Sequence, residues 1–379
     1  MEVLKLEKIR VLHCVGYMRR AGIETFLMNV YRNIDRSQVQ FDFLCSEHKV
    51  GDYDKEISDL GGKIYYLSNA PFHFNKGPVK YLAKILQYRD TLRMLRSHVD
   101  IVHIHTYHAF DASLMVVGCK LAGIKRVFVH SHNTRAPHPL LNNLFSIYLR
   151  HTKIRRLACG IEAGKWLYGS DKCFEIVYNG IDVDKFRFDT QKRKKGRESL
   201  GISSEVKVLL HVGRFETQKN HLFLIKAFNE YYKKDDTANL LLAGEGELRS
   251  VIQNEVDKLP CSNNIKFLGL RSDIDVLTSV SDMFIMPSLY EGFPVTAIEA
   301  ESSGLPCLFS DVITKEVSVL NEVRFESLNS DFNIWAEDIS NVLSLPLERN
   351  KASQVIKEKG FDIKDVANKL SNIYLKEEI

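Results

Sequence analysis

Several things are missing from this 379-residue chain. No Cys-x-x-Cys pair occurs, and the seven cysteines are odd in number, which fits free thiols in a reducing compartment better than a disulfide framework. No apolar run approaches the length of a membrane span. In the opening MEVLKLEKIRVLHCV, the charges of Glu2, Lys5, Glu7, Lys8 and Arg10 break up any signal-peptide core. These absences predict a cytoplasmic protein whose membrane contact, if any, is peripheral. The net charge of +4 is mild and the single basic run is QKRKKGR at 191–197, so a nucleic-acid partner is not expected. No short-period repeat is visible, which argues against a solenoid.

What is present is a globular composition, 45% hydrophobic and 26% charged, at a length that favours two domains. Short apolar runs at 9–15, 41–45, 63–67, 101–105, 126–129, 156–159 and 175–178 alternate with helical stretches, the pattern of β-α-β units around a parallel sheet. Residues 183–204 are polar and basic without strand signal and read as a linker. The rhythm restarts at 206–212, 239–243, 264–268, 282–286 and 306–310. The fold class is therefore α/β, with two doubly wound Rossmann-like domains spanning 1–183 and 184–360. The tail, 361–379, reads as an amphipathic helix with Ile363, Val366, Leu370, Ile373 and Leu375 on one face. Its plain reading is a last covering helix of the second domain.

Ligands of doubly wound sheets bind at the carboxyl ends of strands, so the loops after strands carry the functional reading. In LLHVGRFETQKNH, Arg214 and Lys219 follow a strand and precede a helix near Asn220; they form either an anion site for a diphosphate or a pair of solvated charges. In PSLYEGFPVTAIEAESSGLP, Gly292 and Pro294 shape a turn before a helix from about Val295, with Glu291 ahead of the turn and Glu299 one helical turn in. Carboxylates accept from sugar hydroxyls and free helix N–H groups donate to phosphate, so this loop suits a nucleotide sugar. Two glutamates on a solvated face are the alternative. LLLAGEGELRS lacks the third glycine of a dinucleotide fingerprint, since Arg249 stands there, so hydride chemistry is disfavoured and Gly244 and Gly246 are expected in a tight turn near a base. Leu270 and Arg271, after the strand ending FLGL, offer backbone to a base edge.

In the first half, Gly22 lies between strand and helix with Glu24 following, as an approach point for ligand or as an ordinary turn. The His-x-His pairs His103/His105 and His130/His132 raise a metal site. No Asp or Cys completes a ligand set, and a single imidazole facing substrate is preferred.

Taken together these motifs resemble the retaining, nucleotide-sugar-dependent glycosyltransferases of family 4. The resemblance runs over most of the chain: Ala21-Gly22-Ile23-Glu24, HSHN, NGID at 179–182, VGR with Lys219, AGEG, and EGFPVTAIEA, which is the most specific. It implies the GT-B fold, two Rossmann-like domains facing each other across a cleft, with an acceptor-binding domain at 1–183 and a donor-binding domain at 184–360. It also implies that the tail helix crosses back to the first domain about a hinge near 179–184. Arg214 and Lys219 would hold the donor diphosphate in place of a metal, so no metal or other cofactor is expected. Glu299 would bind the ribose hydroxyls. Glu291 with the backbone of Gly292, Phe293, Pro294, Val295 and Thr296 would hold the donor sugar and distal phosphate. His132, or else His130, would meet the sugar, and Gly22, Gly244, Leu270 and Arg271 would line the donor site. Family members often carry glycine where Ala21 and Asn220 stand; Asn220 is expected to cap the following helix.

The resemblance implies transfer of a hexosyl group from a nucleotide sugar, with a UDP-sugar the first choice, to a hydroxyl of a glycan or lipid-linked glycan in exopolysaccharide or capsule assembly. A nucleotide-sugar epimerase or phosphorylase on the same fold, and a non-catalytic nucleotide-sugar-binding protein, are the competing readings. The segments 78–98 and 144–156 combine apolar and basic positions at helical spacing, as both interfacial and ordinary covering helices do.

Overall fold

The computed structural model describes residues 8–68, 79–134, 138–170, 172–345 and 348–376; Glu2, Lys5, Glu7, the first position of the 78–98 segment and the last three of the tail lie outside them. The chain divides into two compact units, Met1–Gly180 with Ile363–Ile379, and Ile181–Asp362.

The first unit is built on seven parallel strands, β1 (Ile9–Val15), β2 (Val39–Cys45), β3 (Ile64–Tyr66), β4 (Ile101–Thr106), β5 (Arg126–Ser131), β6 (Arg155–Ala158) and β7 (Glu175–Ile176). Their order is β3-β2-β1-β4-β5-β6-β7. Every residue of β2 is buried, as expected of a strand covered by helices on both faces. That burial includes Asp42, whose carboxylate accepts from Arg10 Nη1 at 2.8 Å and from the Lys63 amide at 2.8 Å.

The second unit repeats the plan with six strands, β8 (Val208–Val212), β9 (Asn239–Ala243), β10 (Ile265–Gly269), β11 (Met283–Met286), β12 (Cys307–Ser310) and β13 (Val323–Glu326), in the order β10-β9-β8-β11-β12-β13. The edge strand β13 carries an alternating polar pattern and escapes the sequence reading; its Phe325 packs on Phe309 with ring centroids 5.8 Å apart. In each sheet the chain reverses its direction of winding between two neighbouring strands, β1 and β4 in one, β8 and β11 in the other. Open α/β sheets bind ligands at such a switch point, outside the carboxyl ends of the strands.

The reading of 183–204 as a linker is overturned: helices run over Val183–Phe186 and Thr190–Leu200. Asp189 caps the second by accepting from the Gln191 and Lys192 amides. Its buried face is made by Gly196 and Arg197 rather than by aliphatics, so no apolar period shows. Arg193 and Arg197 both reach Asp282, at 2.6 and 2.7 Å, and a Cβ on Gly196 would lie 2.4 Å from Val280 Cγ2.

The tail forms the helix Ile363–Leu375, and it belongs to the first unit, not the second. It packs on the helix Gly22–Asn33, burying Ile363, Val366, Leu370, Ile373 and Tyr374, while Leu375 stays outside the buried face. Each of those aliphatic side chains contributes about 1.5–3 kcal/mol relative to exposure. Where the chain leaves and re-enters this unit, the Ile181 amide bonds the Phe361 carbonyl at 2.9 Å and Ile181 pairs with Asp362.

Candidate functional site

The loops that follow β8 and β11 meet at the switch point of the second sheet. After β8 the chain makes a short 3-10 turn, Thr217–Lys219, and enters the helix His221–Tyr232 through Asn220, whose φ of +55° is left-handed. Asn220 makes no side-chain cap to that helix, contrary to expectation. Its Nδ2 donates instead to the Pro287 carbonyl at 3.2 Å, across to the other loop. After β11 the chain passes through Glu291, Gly292, Phe293 and Pro294 into the helix Val295–Ser302. Phe293 is buried and stacks on Phe361, 5.6 Å between centroids, so the turn is anchored by its aromatic ring.

Two of the expected donor residues touch directly. Lys219 Nζ lies 2.6 Å from Glu291 Oε1, with the two side chains 17% and 7% exposed. Gln218 Nε2 donates to Glu291 Oε2 at 3.2 Å and to the Tyr290 carbonyl at 2.9 Å. A Cβ on Gly213 would come within 3.1 Å of the Lys219 stem, so glycine there leaves room for the side chain to lie across the strand end. Arg214 is half exposed and pairs with Glu216 at 2.6 Å, a surface pair of small energetic weight. Glu299, half-buried on the next helix, has its carboxyl pushed up to about 7 by desolvation, with Lys185 opposing and Asp275 adding to the shift. The hydroxyls of Ser288 and Thr296, on this loop and helix start, are buried without a hydrogen-bond partner among the described residues. Buried hydroxyls in that state are uncommon in native proteins.

Gly244 and Gly246 let two loops pack closely. Gly244 has φ +148°, and a Cβ on it would lie 2.0 Å from the Gly213 carbonyl oxygen; one on Gly246 would lie 2.6 Å from that of Phe215. The two loops are hydrogen-bonded, Gly213 to Ala243 and Phe215 to Glu245, each at 3.0 Å. Leu270 and Arg271 follow β10 at the edge of the sheet. Leu270 is exposed, and Arg271 forms a two-pronged bond to Asp273 at 2.8 and 2.6 Å.

The first unit also gathers polar groups at its switch point. Gly22 opens the helix Gly22–Asn33 with nothing within 4 Å of where a Cβ would stand. Five buried histidines lie side by side: His13 on β1, His103 and His105 on β4, and His130 and His132 on and just beyond β5. Register makes this possible, since His13 sits opposite His103 and His105 opposite His130. His13 Nδ1 lies 2.9 Å from His105 Nε2, and His105 Nδ1 lies 2.9 Å from His132 Nε2, while His103 Nδ1 bonds the Tyr374 hydroxyl at 2.6 Å. Burial pushes His13 and His132 down to about 3 and lowers His103, His105 and His130 well below the ordinary range. The five are therefore neutral, each with one N–H to give. Two triads, His13/His103/His105 and His105/His130/His132, hold their ligand atoms within 4.8 Å. The 2.9 Å spacings are those of N–H···N bonds, and among the described residues both triads are made of histidine alone, with no carboxylate among their ligand atoms to offset a divalent charge in the core. The expectation that His132 faces substrate meets a ring whose Nε2 is engaged by His105 and whose Nδ1 is buried. The sequence reading misses His13, whose signal is a polar residue inside the otherwise apolar stretch 11–15 of β1.

Comparison with known proteins supplies the context. Residues 20–185 match the model of Glycosyltransferase Family 4, and residues 192–359 match that of Glycosyl transferases group 1. The chain is 32% identical over 377 residues to the protein named as glycosyltransferase EpsF of Bacillus subtilis (strain 168), covering 96% of each. It is 22% identical to the UDP-Gal:alpha-D-GlcNAc-diphosphoundecaprenol alpha-1,3-galactosyltransferase of Escherichia coli, covering 97% of each. Its fold is similar to that of Anabaena Alr3699/HepE, solved in complex with UDP and glucose, with TM-score 0.75, 15% identity and coverage of 96% of this chain and 99% of that one.

Proposed function

Because the chain belongs to the family 4 glycosyltransferases, with the GT-B fold of two Rossmann-like units, we propose that it transfers a hexosyl group with retention from a nucleotide sugar to a glycan or lipid-linked glycan hydroxyl in surface-polysaccharide assembly. A uridine diphosphate sugar is the first choice of donor. The UDP in the Anabaena structure and the UDP-Gal in the name of the Escherichia coli relative support it. The observation that carries the reading is the partly desolvated Lys219–Glu291 pair between two strand-end loops at the switch point. A cation there, close to a helix start, meets a diphosphate. A carboxylate beside it meets sugar hydroxyls.

In this reading Arg214 and Lys219 bind the diphosphate and stabilise the charge that grows on it as the glycosidic bond breaks. The backbone from Gly292 to Thr296 adds N–H donors at the start of the helix, and Glu291 orients the sugar. Glu299 accepts from the ribose hydroxyls. Attack by the acceptor hydroxyl on the same face, with its proton passing to the departing phosphate, needs no protein nucleophile, and none is assigned. The unit formed by Met1–Gly180 and the tail helix takes the acceptor.

A thermal-shift panel of UDP, GDP, ADP and their hexose conjugates tests the donor. One nucleotide class is expected to raise the melting temperature of the wild type and to do so less for Glu299→Ala, because a ligand that binds only the native state stabilises it. Release of free nucleoside diphosphate only with an acceptor present then separates transfer from epimerisation. If no nucleotide shifts the wild type, the donor site is misassigned.

A membrane-bound acceptor is compatible with the helix Pro139–His151. Leu140, Leu144 and Ile147 are exposed at one-turn spacing, and no carboxylate occurs between His138 and Ile161, whereas Arg150 and Lys153 do. Such a helix suits an anionic bilayer surface. Among the described residues no helix is long and apolar enough to cross a membrane. Co-sedimentation with vesicles containing anionic phospholipid is expected for the wild type and should be lost in Leu144→Glu/Ile147→Glu; equal sedimentation of both would remove this face from the proposal.

A further inference from the structure

Three consecutive residues, Gln218, Lys219 and Asn220, all reach the loop that follows β11. Gln218 contributes twice. Its backbone carbonyl accepts from the Leu289 amide at 2.8 Å, and its Nε2 donates to the Tyr290 carbonyl at 2.9 Å and to Glu291 Oε2 at 3.2 Å. Lys219 takes the other carboxylate oxygen, Glu291 Oε1, at 2.6 Å, and Asn220 holds the Pro287 carbonyl at 3.2 Å. Asn220 keeps a left-handed backbone to do so. The clasp therefore grips the loop from Pro287 at one end to Glu291 at the other.

Lys219 cannot keep both its present partner and a new one at full strength. An arriving diphosphate competes with Glu291 for a single ammonium, and the bond on Oε1 weakens as the phosphates take hold. The bond from Gln218 is on the other oxygen and does not enter that competition. We propose that Gln218 is a positioning residue for Glu291: it holds the carboxylate in place while Lys219 is handed to the diphosphate. This rests on the reading of Lys219 as a diphosphate ligand. With Gln218 in place, the carboxylate is tied to its own loop through the neighbouring Tyr290 carbonyl and does not follow the ammonium into the space that the phosphates need.

The test uses Gln218→Ala and Gln218→Met, the second keeping length and volume but lacking the donor. Steady-state kinetics are measured with the nucleotide sugar that the wild type turns over in the panel above, alongside the melting temperature and the affinity for the matching nucleoside diphosphate. Loss of one hydrogen bond to a charged group predicts a fall in kcat of about tenfold in both variants, with nucleoside diphosphate affinity within about threefold of wild type. A kcat within about twofold of wild type in Gln218→Met overturns the role. So does a parallel loss of kcat, nucleotide affinity and melting temperature, which is the mark of a loop that has simply lost its packing. Failure of the underlying reading looks different: the wild type itself then neither binds nor turns over any nucleotide sugar, and the role of Gln218 falls with it.

Discussion

Lys219→Ala is expected to lower turnover at saturating donor by about 100- to 1,000-fold, the usual effect of removing one preorganised donor to developing charge. The same change strips Glu291 of its ion-pair partner in a partly desolvated place. Breaking a buried pair by deleting one member costs about 3–5 kcal/mol when burial is complete, and somewhat less is expected here because Lys219 keeps some exposure. Activity could thus fall for the trivial reason that the protein melts. The double variant Lys219→Ala/Glu291→Ala separates the two causes. It removes the carboxylate that has lost the Lys219 ammonium and should regain most of the lost melting temperature without regaining turnover or nucleotide affinity. Recovery of turnover in the double variant would make the pair a structural device and withdraw Lys219 from the diphosphate.

The second large effect is acid sensitivity confined to one unit. The five clustered histidines of the first unit have folded pKa values depressed by burial, His13 and His132 to about 3, against an ordinary value near 6.5. Below about pH 6.5 the unfolded chain takes up protons there and the native chain does not, so stability falls with falling pH until the folded pKa is reached. Each such imidazole removes about 1.4 kcal/mol per pH unit, and five act together, against a total stability of about 5–15 kcal/mol for a domain. In the second unit His211 and His221 behave this way, at about 4 and about 2. That unit also holds Glu299 and Glu301, raised to about 7 and 8, and these act in the opposite direction. A carboxyl raised in the fold contributes stability that is fully present below its unfolded pKa and is lost as pH rises through 7 or 8. The first unit is therefore expected to unfold at about pH 5 while the second persists. The two tryptophans report the units separately, Trp166 in the first and Trp335 in the second. Fluorescence titration of Trp166→Phe and Trp335→Phe variants should show two acid transitions; a single transition shared by both would contradict the assignment of the proton uptake to the histidine cluster.

Much of the fold is legible in the residues alone. Strands buried on both faces announce themselves as apolar runs, and the turn chemistry of EGFPVTAIEA marks a strand end followed by a helix. What periodicity does not carry is what those residues touch. Lys219 and Glu291 are 72 positions apart, and their pairing depends on β8 and β11 being neighbours, which follows from sheet order rather than from either loop. The helix Thr190–Leu200 hides because its buried face is a glycine and an arginine tied to Asp282, not an apolar stripe. The glycines of AGEG read as necessary for a close approach, and the approach the structure shows is that of another loop's backbone, a partner that the sequence does not name. For the tail, the apolar face is readable and the surface that it covers is not, because nothing in a stripe of aliphatics says which of two sheets it belongs to.

That last feature bears on how the molecule is made. The helix Ile363–Leu375 fills the core beside Gly22–Asn33, and its Tyr374 closes over His103, yet in chain order it comes after the whole of Ile181–Asp362. On a ribosome the first unit emerges early and waits, its groove unfilled and part of its histidine cluster uncovered, while the second unit is synthesised and folds. The unit that starts first is finished last, so its exposure to chaperones and proteases is set by the time needed to translate its neighbour.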